Sequence, residues 1–237
     1  MRNTLVLSAA LALMTSGAAP AQGHAAAPYP AMAPIAQYRM TPADEIALAR
    51  SAAPPSISGP ATILVLGSTG YTTAVKGTNG FVCFVGRSWA STFDDPEFWN
   101  PKERSPNCFN APAARSELAN YVQLTKWVLA GDSKAQLMAK SRAARASGAF
   151  KMPEPDSIAF MLSKRGYLND QAGGPWLPHV MFFVPRGQAA SWGANLPGSP
   201  VLGQDGASPA SVFFVPVRRW SDGSPAPVPA EVHKHSH

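Results

Sequence analysis

Apolar residues alternate with polar ones in some stretches of the chain and recur every three or four residues in others, and these two periods sort it into strands and helices. Three short β-rich runs follow one another, "ATILVLGS" (61–68), "GYTTAVKG" (70–77) and "GFVCFVGR" (80–87), separated by Ser68-Thr69-Gly70 and Thr78-Asn79-Gly80. An Asn-Gly pair between such runs is a strong hairpin signal, because both central turn positions take positive φ. The pattern predicts a three-stranded antiparallel meander. In the last run Phe81, Cys83 and Val85 share one parity and Val82 and Phe84 the other. A strand apolar at both parities is covered on both faces.

Helical spacing comes next. "TPADEIALARSAAPP" opens with Thr41 as a cap and Pro42 in the first turn, and Pro54 closes it. "APAARSELANYVQLTKWVLAG" carries the clearest stripe, with Leu118, Tyr121, Val122, Thr125, Val128 and Leu129 at i, i+3 and i+4 and Gly131 as its stop. "DSKAQLMAKSRAARASG" begins with a Ser133/Gln136 capping box and ends at Gly148, and "PDSIAFMLSKRG" predicts a third helix of this group, also closed by glycine. "HVMFFVPRG" (179–187) and "SVFFVPVRRW" (211–220) share the word FFVP and read as two strands, each ended by a proline that cannot donate to a ladder. They pair with each other or flank the meander. The long aperiodic stretch between them, 187–210, reads as an ordered loop because of Trp192, Asn195 and Leu196. The expected fold class is α+β: an antiparallel sheet of about five strands with helices packed mainly on one face. That outline is similar, in topology alone, to PAS-like sensory and profilin-like domains.

The N-terminus changes the picture of where this domain works. Arg2, an apolar run from Leu5 to Met14 and small residues around Ala19 and Ala21 have the form of a secretory leader, cleaved after Ala21 or a few residues later. No run is long enough to predict a membrane span. The expected organisation is a signal peptide (1–21), a flexible Ala/Pro lead-in (22–40), one α+β domain (41–222) and a disordered Pro/His tail (223–237). The net charge of +6 is scattered except for Lys134, Lys140, Arg142 and Arg145, which read as a solvated helix face rather than a nucleic-acid footprint.

Candidate chemistry is sparse. The only two cysteines, Cys83 and Cys108, are expected to pair in an oxidising compartment. A thiol nucleophile at Cys83 would need a base and a partly exposed, electropositive setting, which a mid-strand position between Val82 and Phe84 does not promise. His179, the one histidine inside the folded region, starts a strand after "GGPWLPH". It is either a hydrogen-bonded structural residue or a ligand contact or general base, with Asn169, Asp170 and Asp205 as possible partners. Trp176, Trp192 and Asn195 are further ligand-binding candidates, the tryptophans lining a shallow pocket or plugging their loops. His233, His235 and His237 alternate along the tail and could hold a metal weakly, although a free tail is the plainer reading. Asp94, Asp95 and Glu97 in "DDPEFWNPK" read as solvated acids on a loop anchored by its aromatics. No nucleophile elbow, phosphate-binding glycine loop, zinc pattern or haem motif occurs, so no cofactor is expected.

The segments "GTNGFVC", "FDDPEFWNPK", "CFNAPAARS", "HVMFFVPR" and "WGANLPGSP" together resemble a group of uncharacterised secreted bacterial proteins. The resemblance implies export and a single domain, and assigns no activity, cofactor or residue. The functional expectation is a non-enzymatic envelope module that binds a small ligand or a cell-envelope partner. The alternative is a periplasmic enzyme with His179 as general base, oriented by Asp170 or Asp205.

Overall fold

The structure, a computed structural model, describes residues 28–171 and 173–227. The leader, residues up to 27 and the histidines at 233, 235 and 237 lie outside the described residues. In chain order the helices are α1 (Pro42–Arg50), α2 (Pro55–Ser58), α3 (Ala111–Arg115), α4 (Glu117–Leu129) and α5 (Lys134–Ser147). The strands are β1 (Thr62–Leu66), β2 (Tyr71–Val75), β3 (Val82–Gly86), β4 (Ser105–Phe109), β5 (Ile158–Met161), β6 (His179–Pro185), β7 (Leu202–Asp205) and β8 (Ala210–Pro216). All eight strands form one mixed sheet in the order β2-β1-β3-β4-β5-β6-β8-β7. This replaces the expected five-stranded antiparallel sheet, and with it the likeness to PAS and profilin outlines.

The meander fails at its second turn. β1 and β2 do form an antiparallel hairpin, but β3 joins the far edge of β1 and runs parallel to it, with Thr62 beside Val82 and Ile63 beside Cys83. Hydrophobic accounting explains the choice: three of the five residues of β2 are exposed, so it suits an edge, whereas β3 is buried from Cys83 to Gly86 and needs a neighbour on each side. To get there the chain passes across the start of β1, where a Cβ on Gly77 would lie 2.2 Å from the Thr62 nitrogen. Only glycine fits that crossing. Asn79-Gly80 turns the chain without forming a hairpin, its Asn79 amide tied to the Ile57 carbonyl (2.8 Å).

Two central strands come from segments expected to be loop or helix. β4, "SPNCF", is buried throughout and pairs with β3, placing Cys83 opposite Cys108, which are joined as a disulfide. Pro106 is tolerated because Val85, opposite it, gives its carbonyl to the Tyr71 hydroxyl (2.6 Å) rather than asking for a backbone donor. The 155–166 segment forms no helix. Its core is β5, whose Ala159 and Met161 face one side of the sheet, and the turn before it uses Asp156 at φ 63°. The FFVP strands, by contrast, pair with one another in antiparallel fashion, Phe182 opposite Phe213.

Helices lie over both faces of the sheet, not mainly one. On one face Leu48, Ala49 and Ala52 in and just after α1 pack on Ile63, Val85 and the disulfide. On the other, Leu118 of α4 joins Phe84, Phe109 and Met181. α5 has the anticipated capping box, and Gly148 ends it in the left-handed region (φ 74°). Residues upstream of Thr41 contribute to the core: Tyr38 is fully buried and donates to the Trp99 carbonyl (2.8 Å). Phe98 and Trp99 anchor the acidic loop as its aromatics suggested.

Candidate functional site

Between the sheet and α4 the packing opens into a cavity of about 340 Å³, within the size range of small-molecule sites. Register fixes much of its floor. Phe84 lies opposite Asn107 and Met161 opposite His179, and extending the Cys108–Phe160 pairing by one residue brings Asn107 level with Met161. A single row, Phe84-Asn107-Met161-His179, therefore crosses four strands on one face. α4 supplies a wall with Glu117, Tyr121 and Leu124, which fall within two turns on one helix face. Glu103 enters from the segment before β4, Asp95 from the acidic loop, and Ala207 and Ser208 from the β7–β8 turn.

The polar groups here are unusual for a protein interior, because buried polar atoms are normally paired. His179 is 2% exposed, and its Nδ1 lies 2.7 Å from the Leu177 carbonyl. Since a carbonyl only accepts, Nδ1 carries the proton, and Nε2 presents a lone pair that nothing in the protein meets. Trp176 and Phe214 pack against the imidazole at 4.8 and 5.5 Å between ring centroids. Burial in this aromatic setting pushes His179 down to about 4, so it is neutral at pH 7. Asn107 gives its amide N–H to the Ser105 carbonyl (2.8 Å) and leaves Oδ1 unpartnered; Glu117 leaves Oε1 unpartnered. Burial pushes Glu117 up to about 7. Burial, reinforced by the nearby charge of Asp95, pushes Glu103 up to about 8.

Of the residues singled out in the sequence, His179 and Trp176 meet in this cavity, and Asn169 also lines it. The aspartates do not orient His179, whose orienting partner is the Leu177 carbonyl. Asp170 sits in a surface cluster with Tyr29, Tyr167 and Lys102, and these hydrogen bonds hold its carboxyl well below the usual range. Asp205 accepts from the Ser211 hydroxyl (2.6 Å) and faces Arg186. Trp192 and Asn195 belong elsewhere. Trp192 packs at a tilt against Phe213 (4.7 Å between ring centroids), whose parity directs it away from the Phe214 side that lines the cavity, and Asn195 clamps the Gly203 backbone through two hydrogen bonds. Among the described residues no three His, Cys, Asp or Glu side chains converge to hold a metal.

No protein-family model, curated protein or solved structure matches the chain. The site is therefore read from its own chemistry.

Glu103, Asn107 and Glu117 escaped sequence reasoning. For Glu117 a signal existed: it lies four residues before Tyr121 and seven before Leu124, an acid on the apolar face of an amphipathic helix. Asn107 becomes visible only once "SPNCF" is known to be a strand. Glu103, within the charged triplet Lys102-Glu103-Arg104, carries no such mark.

Proposed function

We propose that this chain is an exported, single-domain protein of the cell envelope that binds a small molecule in the cavity between its sheet and α4. The observation that carries the reading is that four residues lining the cavity, Ser105, Asn107, Glu117 and His179, each bury a polar atom, Oγ, Oδ1, Oε1 and Nε2, that has no partner among the described residues. Leaving such atoms unsatisfied costs about 1–3 kcal/mol each, a penalty that a complementary ligand relieves. The secretory form of the N-terminus and the Cys83–Cys108 disulfide support export.

Native mass spectrometry of the protein taken from its own envelope fraction tests this reading. The expected spectrum shows the oxidised chain with a small bound species, and that species disappears in Met161→Trp, whose indole occupies the floor of the cavity. A wild-type chain that carries nothing and binds no small molecule offered to it would sink the proposal.

The fixed tautomer of His179 favours one second reading. A neutral imidazole beside a cavity, with an unpartnered lone pair, has the form of a general base. If the bound species comes back chemically altered after incubation, and His179→Gln binds it but returns it unchanged, the enzyme reading replaces simple binding.

A further inference from the structure

The residues that line the cavity lean to one side in charge: its hydroxyls and amides can donate or accept, and its ionisable groups are acids or a neutral acceptor. His179 has spent its N–H on Leu177, so Nε2 only accepts. Asn107 gives one of its two amide N–H groups to the Ser105 carbonyl and leaves Oδ1 as an unpartnered acceptor. The Oδ1 and the amide nitrogen of Asn120 are both engaged, since its side chain is bonded to the Lys151 backbone in both directions (2.8 Å each). Glu117 offers a free oxygen, and Glu103 adds a second carboxyl nearly as buried.

Among the described residues no lysine or arginine lines the cavity. The basic groups around it are bonded to other partners: Arg87 to Glu45 and the Tyr38 carbonyl, Arg104 to the carbonyls of Gln37, Pro101 and Glu103, Arg145 to the Ala207 carbonyl, Arg186 to the Gly206 carbonyl and Lys134 to the Asp95 carbonyl. The titratable groups facing the space are thus Glu103 before β4, Glu117 and Tyr121 on α4, Asp95 on the acidic loop and His179 on β6. Every one of them is acidic or, in the case of His179, a neutral acceptor. The apolar walls are largely aromatic, with Phe84, Tyr121, Trp176 and Phe214 among them. Ring faces attract cations and do nothing comparable for anions.

A carboxylate or phosphate ligand would meet acceptors and acids with no counter-charge. A neutral apolar ligand would leave two buried acids and two orphaned acceptors as they are. From the two buried carboxyls without a counter-charge in the lining, the unpartnered acceptors and the aromatic walls, we infer that the cavity takes a primary amine carried on a compact apolar or aromatic body. Its ammonium meets the carboxyls of Glu103 and Glu117 and its body lies against the rings. This rests on the ligand-binding reading above. It adds a pH signature: both acids sit near 7 to 8 in the empty protein and must ionise to pair with the ammonium. Affinity therefore rises from pH 6 to pH 8 with release of protons, while an alkylamine of pKa about 10 stays charged throughout.

The test is calorimetry on the oxidised full chain, stripped of bound species, with three probes of one shape: 2-phenylethylamine, 2-phenylethanol and phenylacetate. The amine is expected to bind at least about tenfold more tightly than the alcohol, as a charge-assisted pair over a neutral one allows. Phenylacetate should not bind. Glu103→Gln and Glu117→Gln, which keep the shape, should each weaken the amine on the order of tenfold and flatten its pH dependence, and leave the alcohol unchanged. If the alcohol or phenylacetate binds as well as the amine, and Met161→Trp abolishes that binding, the pocket stands and the preference for amines is wrong. If none of the three binds at any pH, both the pocket and its preference are wrong.

Discussion

Two groups of ionisable side chains are buried in this protein and treated in opposite ways. Arg87 and Glu45, both under 2% exposed, form an ion pair (2.8 Å) on the α1 side. The Arg87 Nε donates to the Tyr38 carbonyl (2.6 Å), Nη1 to the Val85 carbonyl, and Glu45 also accepts from the Leu66 backbone (3.2 Å). One oxygen, Glu45 Oε2, is left over. On the α4 side Glu103 and Glu117 form no ion pair among the described residues, and His179 keeps a free lone pair. Burial alone would class all five as core. Counting partners separates a knot that holds the fold from a set of groups held in readiness, and only the second borders an open cavity.

Mutation should expose the difference. Arg87→Met leaves Glu45 as a buried unpaired charge and is expected to cost about 3–5 kcal/mol in urea unfolding; a loss below about 1 kcal/mol would show that the pair is not structural. Replacing both cysteines by serine opens a loop with a sequence separation of 25. The unfolding midpoint should fall by the equivalent of about 3 to 4 kcal/mol.

The cavity side responds to pH instead. His179 takes a proton only near 4 in the folded protein but near its ordinary value when unfolded. Stability should thus decline as pH falls from about 6.5 towards 4, by up to about 3 kcal/mol, and the decline should be shallower in His179→Gln. Glu117 has the opposite sign. Its raised pKa lets the folded state hold a proton that the unfolded chain has released, so it weakens the fold as pH rises from its ordinary value towards 7. Glu117→Gln should match wild type at pH 4 and exceed it by about 1 kcal/mol at pH 8. Were that substitution to cost as much as Arg87→Met, the contrast between the two sides would collapse.

What could be read in advance followed the range of the interaction. The α5 capping box, its Gly148 stop and the β1–β2 hairpin depend on residues a few places apart, and all three occur as expected. The two FFVP strands were legible through their composition and the disulfide through the count of cysteines. β4 was hidden because proline and asparagine are poor strand formers, and only neighbours on both sides hold them there. β5 was hidden because four residues are too few to show a period. The parallel β1–β3 pairing depends on Gly77 clearing the Thr62 backbone, a contact no local pattern reports. In the site, His179 and Trp176 stood out as a lone histidine and a neighbouring ring. Trp192 and Asn195 looked equally eligible because the parity that sends Phe213 and Phe214 to opposite faces is invisible until β8 is paired.

The Cys83–Cys108 bond has a consequence for recognition as well as for stability. Each cysteine is the immediate neighbour of a floor residue, Phe84 on β3 and Asn107 on β4, which lie opposite one another. Sliding one strand by a single residue would turn its side chains through to the α1 side and remove Asn107 from the cavity. A covalent link at the adjacent pair forbids that slip. The oxidation state of the two sulfurs thereby sets the alignment of the cavity floor, and a reduced chain that still folds has lost the constraint that keeps Asn107 on the cavity side.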